Sequence, residues 1–263
     1  MSKPEYIQPL ARNAKVRMAL VTGSGFGKTV FGGTAPKALF LTTDPEGTIS
    51  AAEFGSTAEE WKIESWQDDG GLSDAYEYML KEGCKEYQWL IHDNATEEQN
   101  LGMSMAMQQA LSKPTGAGRS PFVPDKREYQ ISQNSFIQMQ KQFITLPIHQ
   151  IWTVHRKWFD PENGDDGFWS ANIQGQQGAV AEQFLGYMNI IGHGEVTENK
   201  LKKTVRRLYF DHYKSYRGKD RFNALGRFKD DFTVPKMMRL IKAHQEGAPV
   251  KKTAVRRRVA RTA

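Results

Sequence analysis

The sequence predicts an α/β fold with a mainly parallel, doubly wound central sheet. Three observations carry that expectation. Apolar runs rich in β-branched residues alternate with stretches patterned at helical spacing, the mark of βα units. The first run leads directly into a glycine-rich turn and then a helix-forming stretch. A later apolar run ends in an aspartate, and the carboxyl ends of parallel strands are where such sheets meet their ligands.

Taken in order, Lys15 to Thr22 (KVRMALVT) is the first expected strand and Ala38 to Thr43 (ALFLTT) the second. Trp61 to Ser65 is a short one, Tyr87 to Asp93 (YQWLIHD) a central one, and Ile148 to His155 (IHQIWTVH) another. Met188 to Glu195 and Thr204 to His212 extend the sheet. Helices are expected at Leu72 to Glu82, Thr96 to Leu111, Tyr129 to Leu146 and Val234 to His244, where apolar residues recur three and four apart. The methionines Met103, Met105 and Met107 read as core packing. Ser112 to Asp125 and Arg156 to Gln177 are rich in turn formers and read as long loops, which in a compact domain are commonly functional.

The segment Thr22-Gly23-Ser24-Gly25-Phe26-Gly27-Lys28-Thr29 lies between the first strand and a helix. In that position, backbone amides of a tight turn face phosphates, and the helix N-terminus adds its positive end. Lys28 is expected to reach the β- and γ-phosphates of ATP, and the Thr29 hydroxyl to ligate Mg²⁺. Thr22 stands where the motif asks for glycine, so an altered turn is expected, with Gly23 supplying freedom one residue later. Gly32 and Gly33 interrupt the helix that follows.

Asp93 ends its strand where a carboxylate would complete the magnesium shell. Hydrolysis also needs a group to activate water. Asp44 and Glu46 follow the second strand, beside the ligand crevice, and Glu46 is the candidate base with Asp44 as fallback.

Composition sets the outer bounds. The 263 residues suit one domain, 39% hydrophobic and 25% charged, with no internal repeat. No apolar run approaches the roughly 18 residues that cross a bilayer, and Met1 to Arg17 lacks the apolar centre of a secretory signal. Cys84 is the only cysteine, and a cytoplasmic protein without a membrane partner is expected. The net charge of +6 lies entirely in Lys251, Lys252, Arg256, Arg257, Arg258 and Arg261. Residues 1–248 are therefore read as one domain, and residues 249–263 as a basic, disordered tail suited to a polyanion.

The order of these motifs resembles that of the RecA-like recombinase ATPases, in particular the short single-domain phage versions linked to single-strand annealing. The resemblance covers most of Lys15 to Ile241. It implies a RecA-like P-loop core, a homo-oligomer with ATP between neighbours, and, for a phage protein, the host cytoplasm. In that family a catalytic glutamate follows the second strand, as Glu46 does in Asp44-Pro45-Glu46, and Asp93 matches the Walker B aspartate. His155 stands where the family places a polar γ-phosphate sensor. Lys219 and Arg221 resemble the cations such ATPases extend into a neighbour's nucleotide.

The two long loops fall where these proteins contact single-stranded DNA. Lys113, Arg119, Lys126 and Arg127 in the first, and Arg156, Lys157, Trp158, Phe159, Phe168 and Trp169 in the second, offer phosphate contacts and stacking surfaces. Asp160, Glu162, Asp165 and Asp166 work against a uniformly DNA-binding surface. DNA recombination or single-strand annealing is the activity this implies. A nucleotide-gated DNA-binding or loading protein with little hydrolysis is the alternative. A P-loop kinase is disfavoured, because Lys200 to Arg221 has basic residues for a lid but reads as strand.

Overall fold

The computed structural model describes residues 14–114, 118–161 and 166–247. The basic tail expected over residues 249–263 lies outside the described residues, as do Glu162 and Asp165. Among the described residues, six strands run parallel at the centre: β1 (Arg17–Thr22), β2 (Ala38–Thr42), β3 (Glu59–Lys62), β4 (Trp89–Asp93), β5 (His149–Phe159) and β7 (Ile190–Glu198). Their order is β3-β2-β4-β5-β1-β7. The sheet continues antiparallel into β8 (Thr204–Tyr209) and β12 (Phe228–Asp230). The fold is thus α/β with a mainly parallel sheet, and β5 lies between the strand of the glycine-rich turn and the strand ending in Asp93.

Period-two alternation divides the core between the two faces of the sheet. In β1, Ala19 and Val21 join one buried cluster, and Met18 and Leu20 the other. The first cluster is covered by α3 (Leu72–Tyr78), α4 (Ala95–Leu111), α5 (Lys126–Thr145) and α6 (Ala179–Gly186). The second is covered by α1 (Lys28–Gly33) and α7 (Val234–Gln245), through Phe31, Val234, Met237 and Ile241. A short α2 (Ile49–Glu53) follows β2. Gly32 and Gly33 belong to α1 because it packs closely on its neighbours. A methyl on Gly32 would stand 3.0 Å from Ile91, and one on Gly33 2.8 Å from Ala51.

Several boundaries differ from the sequence reading. The strand expected at Trp61 to Ser65 runs from Glu59 to Lys62, because pairing with β2 sets its register (Leu41↔Trp61). The segment Arg156 to Gln177 is only partly a loop. β5 continues through Arg156 to Phe159 and pairs antiparallel with β6 (Phe168–Ala171). Alternating Trp158–Trp169 and Phe159–Phe168 contacts hold this hairpin together. Short strands β9 (His212–Tyr213), β10 (Tyr216–Arg217) and β11 (Lys219–Asp220) extend it and brace it against β7. Among the described residues, no helix is long and apolar enough to cross a membrane.

Candidate functional site

The parallel strands β1 and β4 end on either side of β5, with Thr22 beside His155 in the β1–β5 register. Past Thr22 the chain turns through Gly25 (φ 74°) and Gly27 (φ 94°), both left-handed, so glycine is required at each. Gly23 is not in that region; it supplies no replacement left-handed turn for the missing first glycine. Thr22 is instead the last residue of β1 and fully buried. Its methyl and the Phe26 ring occupy the space over Gly194 of β7, where an added Cβ would stand 2.6 and 2.7 Å from them.

Asp93 joins three elements. Its Oδ2 accepts from the Thr29 hydroxyl of α1 at 2.6 Å, and its Oδ1 accepts from the Thr153 hydroxyl of β5 at 2.6 Å. Donating its proton to Asp93 leaves the Thr29 oxygen with lone pairs for a cation, so this donor set fits Mg²⁺ held between protein and phosphate. When bound, that ion would offset charge on the phosphate oxygens. Lys28 is curled onto the loop, its ammonium donating to the Gly23 carbonyl at 3.3 Å. Burial pushes the Lys28 pKa down, and Asp93 opposes that shift.

His155 is half-buried, with its backbone N–H donating to the Thr96 hydroxyl at 3.3 Å. Burial, then the Lys28 charge, lowers its pKa against the pull of Glu97 and Asp93. The imidazole is therefore neutral at physiological pH and stands close enough to Lys28 to feel it. Asp44 and Glu46 are both exposed on the turn after β2. Asp44 Oδ1 accepts from the Glu46 backbone N–H at 3.1 Å, and Thr42 pairs with Asp93 across the β2–β4 register. The turn thus stands beside the Asp93 strand end, with both carboxylates facing solvent.

Lys219 and Arg221 stand away from the loop. Lys219 donates to the carbonyls of Leu185 and Gly186 at 3.3 and 3.2 Å, and Arg221 to Gly186 at 3.4 Å. In this arrangement they satisfy the C-terminal end of α6. The DNA-contact candidates divide. Lys113, Lys126, Arg127, Lys157 and Trp158 are exposed. Arg119 is instead tied to Asp125 at 2.7 Å and Glu128 at 2.8 Å, the two residues of the capping box that starts α5. Arg156 also departs from the reading: its guanidinium lies 3.5–3.8 Å from the Cβ position of Gly23 and 4.5 Å over the Trp169 ring.

Two residues escaped the sequence reading altogether. Thr153 is a lone hydroxyl in an apolar strand two positions before His155, and that was its signal. Arg206 of β8 donates from Nε to the Phe26 carbonyl at 2.8 Å. Nothing in the sequence places residue 206 beside residue 26, since only the β7–β8 hairpin folding back brings them together.

Comparison with known proteins adds the family. A family described as AAA domain matches residues 14–222. Among solved structures, the chain is similar to the KaiC-like protein PH0186 from Pyrococcus horikoshii OT3. The identity is 11%, the match covers 77% of this chain and 82% of that one, and the TM-score is 0.38. No curated protein sequence matches the chain.

Proposed function

The chain belongs to the AAA domain family, and from that premise we propose that it hydrolyses ATP and acts as an oligomer on single-stranded DNA, in recombination or annealing. The single observation that carries the ATPase reading is the bridge Thr29–Asp93–Thr153, which fixes a metal-shell carboxylate between the phosphate loop and the intervening strand. Lys28 and the loop amides hold the phosphates, and Thr29 with Asp93 would hold a magnesium ion. Glu46 takes a proton from water as it attacks the γ-phosphorus. The β–γ bridging bond breaks, and ADP leaves with the electron pair. Neutral His155 hydrogen-bonds the γ-phosphate, and Lys219 and Arg221 serve a neighbour's nucleotide.

The DNA reading is supported by the aromatic hairpin β5–β6 with Lys157 and Trp158 exposed, and by Lys126 and Arg127 at the start of α5. Base stacking on aromatic rings flanked by cations is a sequence-tolerant way to hold a single strand. Exposure of both Asp44 and Glu46 favours the second reading, a nucleotide-gated DNA-binding protein with little hydrolysis.

ATP turnover with and without single-stranded DNA, beside Lys28→Ala and Glu46→Gln, separates the two. The ATPase reading expects DNA-stimulated turnover that falls by about a hundredfold or more in either variant. Nucleotide binding without turnover, with or without DNA, would favour the gated binding protein.

A further inference from the structure

Arg156 was expected on a DNA loop, yet its guanidinium sits on the phosphate loop. Two cations converge on Gly23: the Lys28 ammonium at 3.3 Å from its carbonyl oxygen, and Arg156 Nε at 3.5 Å from its Cβ position. The lysine of a P-loop is the group that reaches the β- and γ-phosphates, and Arg156 shares with Lys28 the turn from which it reaches them. The parallel register sets Thr22 opposite His155, which brings the next residue of each strand, Gly23 and Arg156, to the same crevice.

The other side of the guanidinium is held by the hairpin. Trp169 stacks under it at 4.5 Å, and Tyr216 pairs with Trp169 across the β6–β10 register. Tyr216 in turn donates to Glu195 at 2.6 Å. A stacked arginine keeps its planar fork pre-oriented, so little rotamer freedom is lost when it meets a phosphate.

We propose that Arg156 is a catalytic arginine supplied in cis, which donates to the γ-phosphate oxygens and links their presence to the β5–β6 hairpin through Trp169. This rests on the ATPase reading for its substrate. Its role is distinct from that of Lys219 and Arg221, because it acts within one subunit and needs no neighbour. As the β–γ bond breaks, charge grows on the phosphoryl oxygens, and a fixed guanidinium there stabilises the transition state more than the ground state. After phosphate leaves, Arg156 loses that partner and keeps its contacts with Trp169 and the Gly23 turn, so the hairpin's support differs between the ATP and ADP states.

The test compares affinity for ADP and for a non-hydrolysable ATP analogue, both with Mg²⁺, in wild type, Arg156→Gln and Arg156→Lys. Turnover and circular dichroism are measured in parallel. Arg156→Gln is expected to weaken the ATP analogue by about tenfold or more, to leave ADP within about twofold, and to lower kcat by about a hundredfold. Arg156→Lys keeps the charge but not the fork, and is expected to recover part of the analogue's affinity and little of kcat. Equal weakening of both nucleotides, or none, overturns the proposal and leaves Arg156 as a brace of the hairpin. If Arg156→Gln does not fold, Arg156→Lys decides: a kcat unchanged from wild type overturns the proposal. A wild type that binds ATP without turnover would count against the ATPase reading, while the ratio of the two affinities would still decide the role of Arg156.

Discussion

Both oxygens of Asp93 are engaged by hydroxyls, from Thr29 and Thr153, each at 2.6 Å. A carboxylate held on both sides loses little freedom when a cation arrives, so in the proposed metal role its geometry would be set beforehand. Thr153 contributes only through that carboxylate. Thr153→Val keeps the shape but leaves a buried carboxylate oxygen without its donor, which costs on the order of 1–3 kcal/mol. The expected result is a lowered melting temperature together with a fall in kcat of about tenfold, with ADP affinity largely kept. Turnover equal to wild type would mean that Thr29 alone positions Asp93. Other side chains at this scale have settled structural partners. His92 and Glu98 pair at 2.8 Å within the core, both fully buried, and His92 stacks on Trp152 at 3.5 Å. They hold β4 against α4 one residue from Asp93 and do not face the crevice.

Elements meet at the phosphate loop through β7 as much as through α1. Gly194 leaves room for the Thr22 methyl and the Phe26 ring, and Arg206 from the next strand bonds the Phe26 carbonyl. Thr22 therefore has a physical reason to replace glycine: it is a buried strand residue packed on a glycine of the neighbouring strand. Gly194→Ala would force a methyl to within 2.6 Å of Thr22 and 2.7 Å of Phe26. Overpacking of this kind costs about 1–3 kcal/mol. Here the strain would fall on the loop, so nucleotide affinity is expected to drop along with the melting temperature. A titration showing unchanged affinity would mean the loop can absorb the methyl without moving. The strands and helices were legible because their patterning is local. The extension of β5 to Phe159 was not, because Arg156 to Gln177 is rich in turn residues and only cross-strand pairing with β6 makes its start a strand.

At the scale of the molecule, charge is distributed by sheet position. Residues 44–86, which form α2, β3 and α3 at one edge, hold twelve carboxylates and three lysines. Residues 200–247, which form β8 to β12 and α7 at the other, hold fourteen lysines and arginines and five carboxylates. An oligomer of the kind proposed, built head to tail, would set unlike edges against each other, and like edges would repel. Self-association is therefore expected to weaken as salt rises from about 50 to 500 mM, where the screening length falls to a few ångströms. It should also weaken in the double variant Glu64→Lys, Asp68→Lys. Sedimentation or light scattering reads both, and a mass indifferent to salt would exclude charge as the organising force. The alternation of strand and helix, the phosphate loop from Thr22 to Thr29, and Asp93 at a strand end follow from local pattern, because each is written in consecutive residues. Long-range packing alone sets Thr153 on Asp93, Arg206 on Phe26, and Arg156 against Gly23. Those contacts join residues 60, 180 and 133 positions apart in the chain, and strand order, which no local pattern encodes, brings them together.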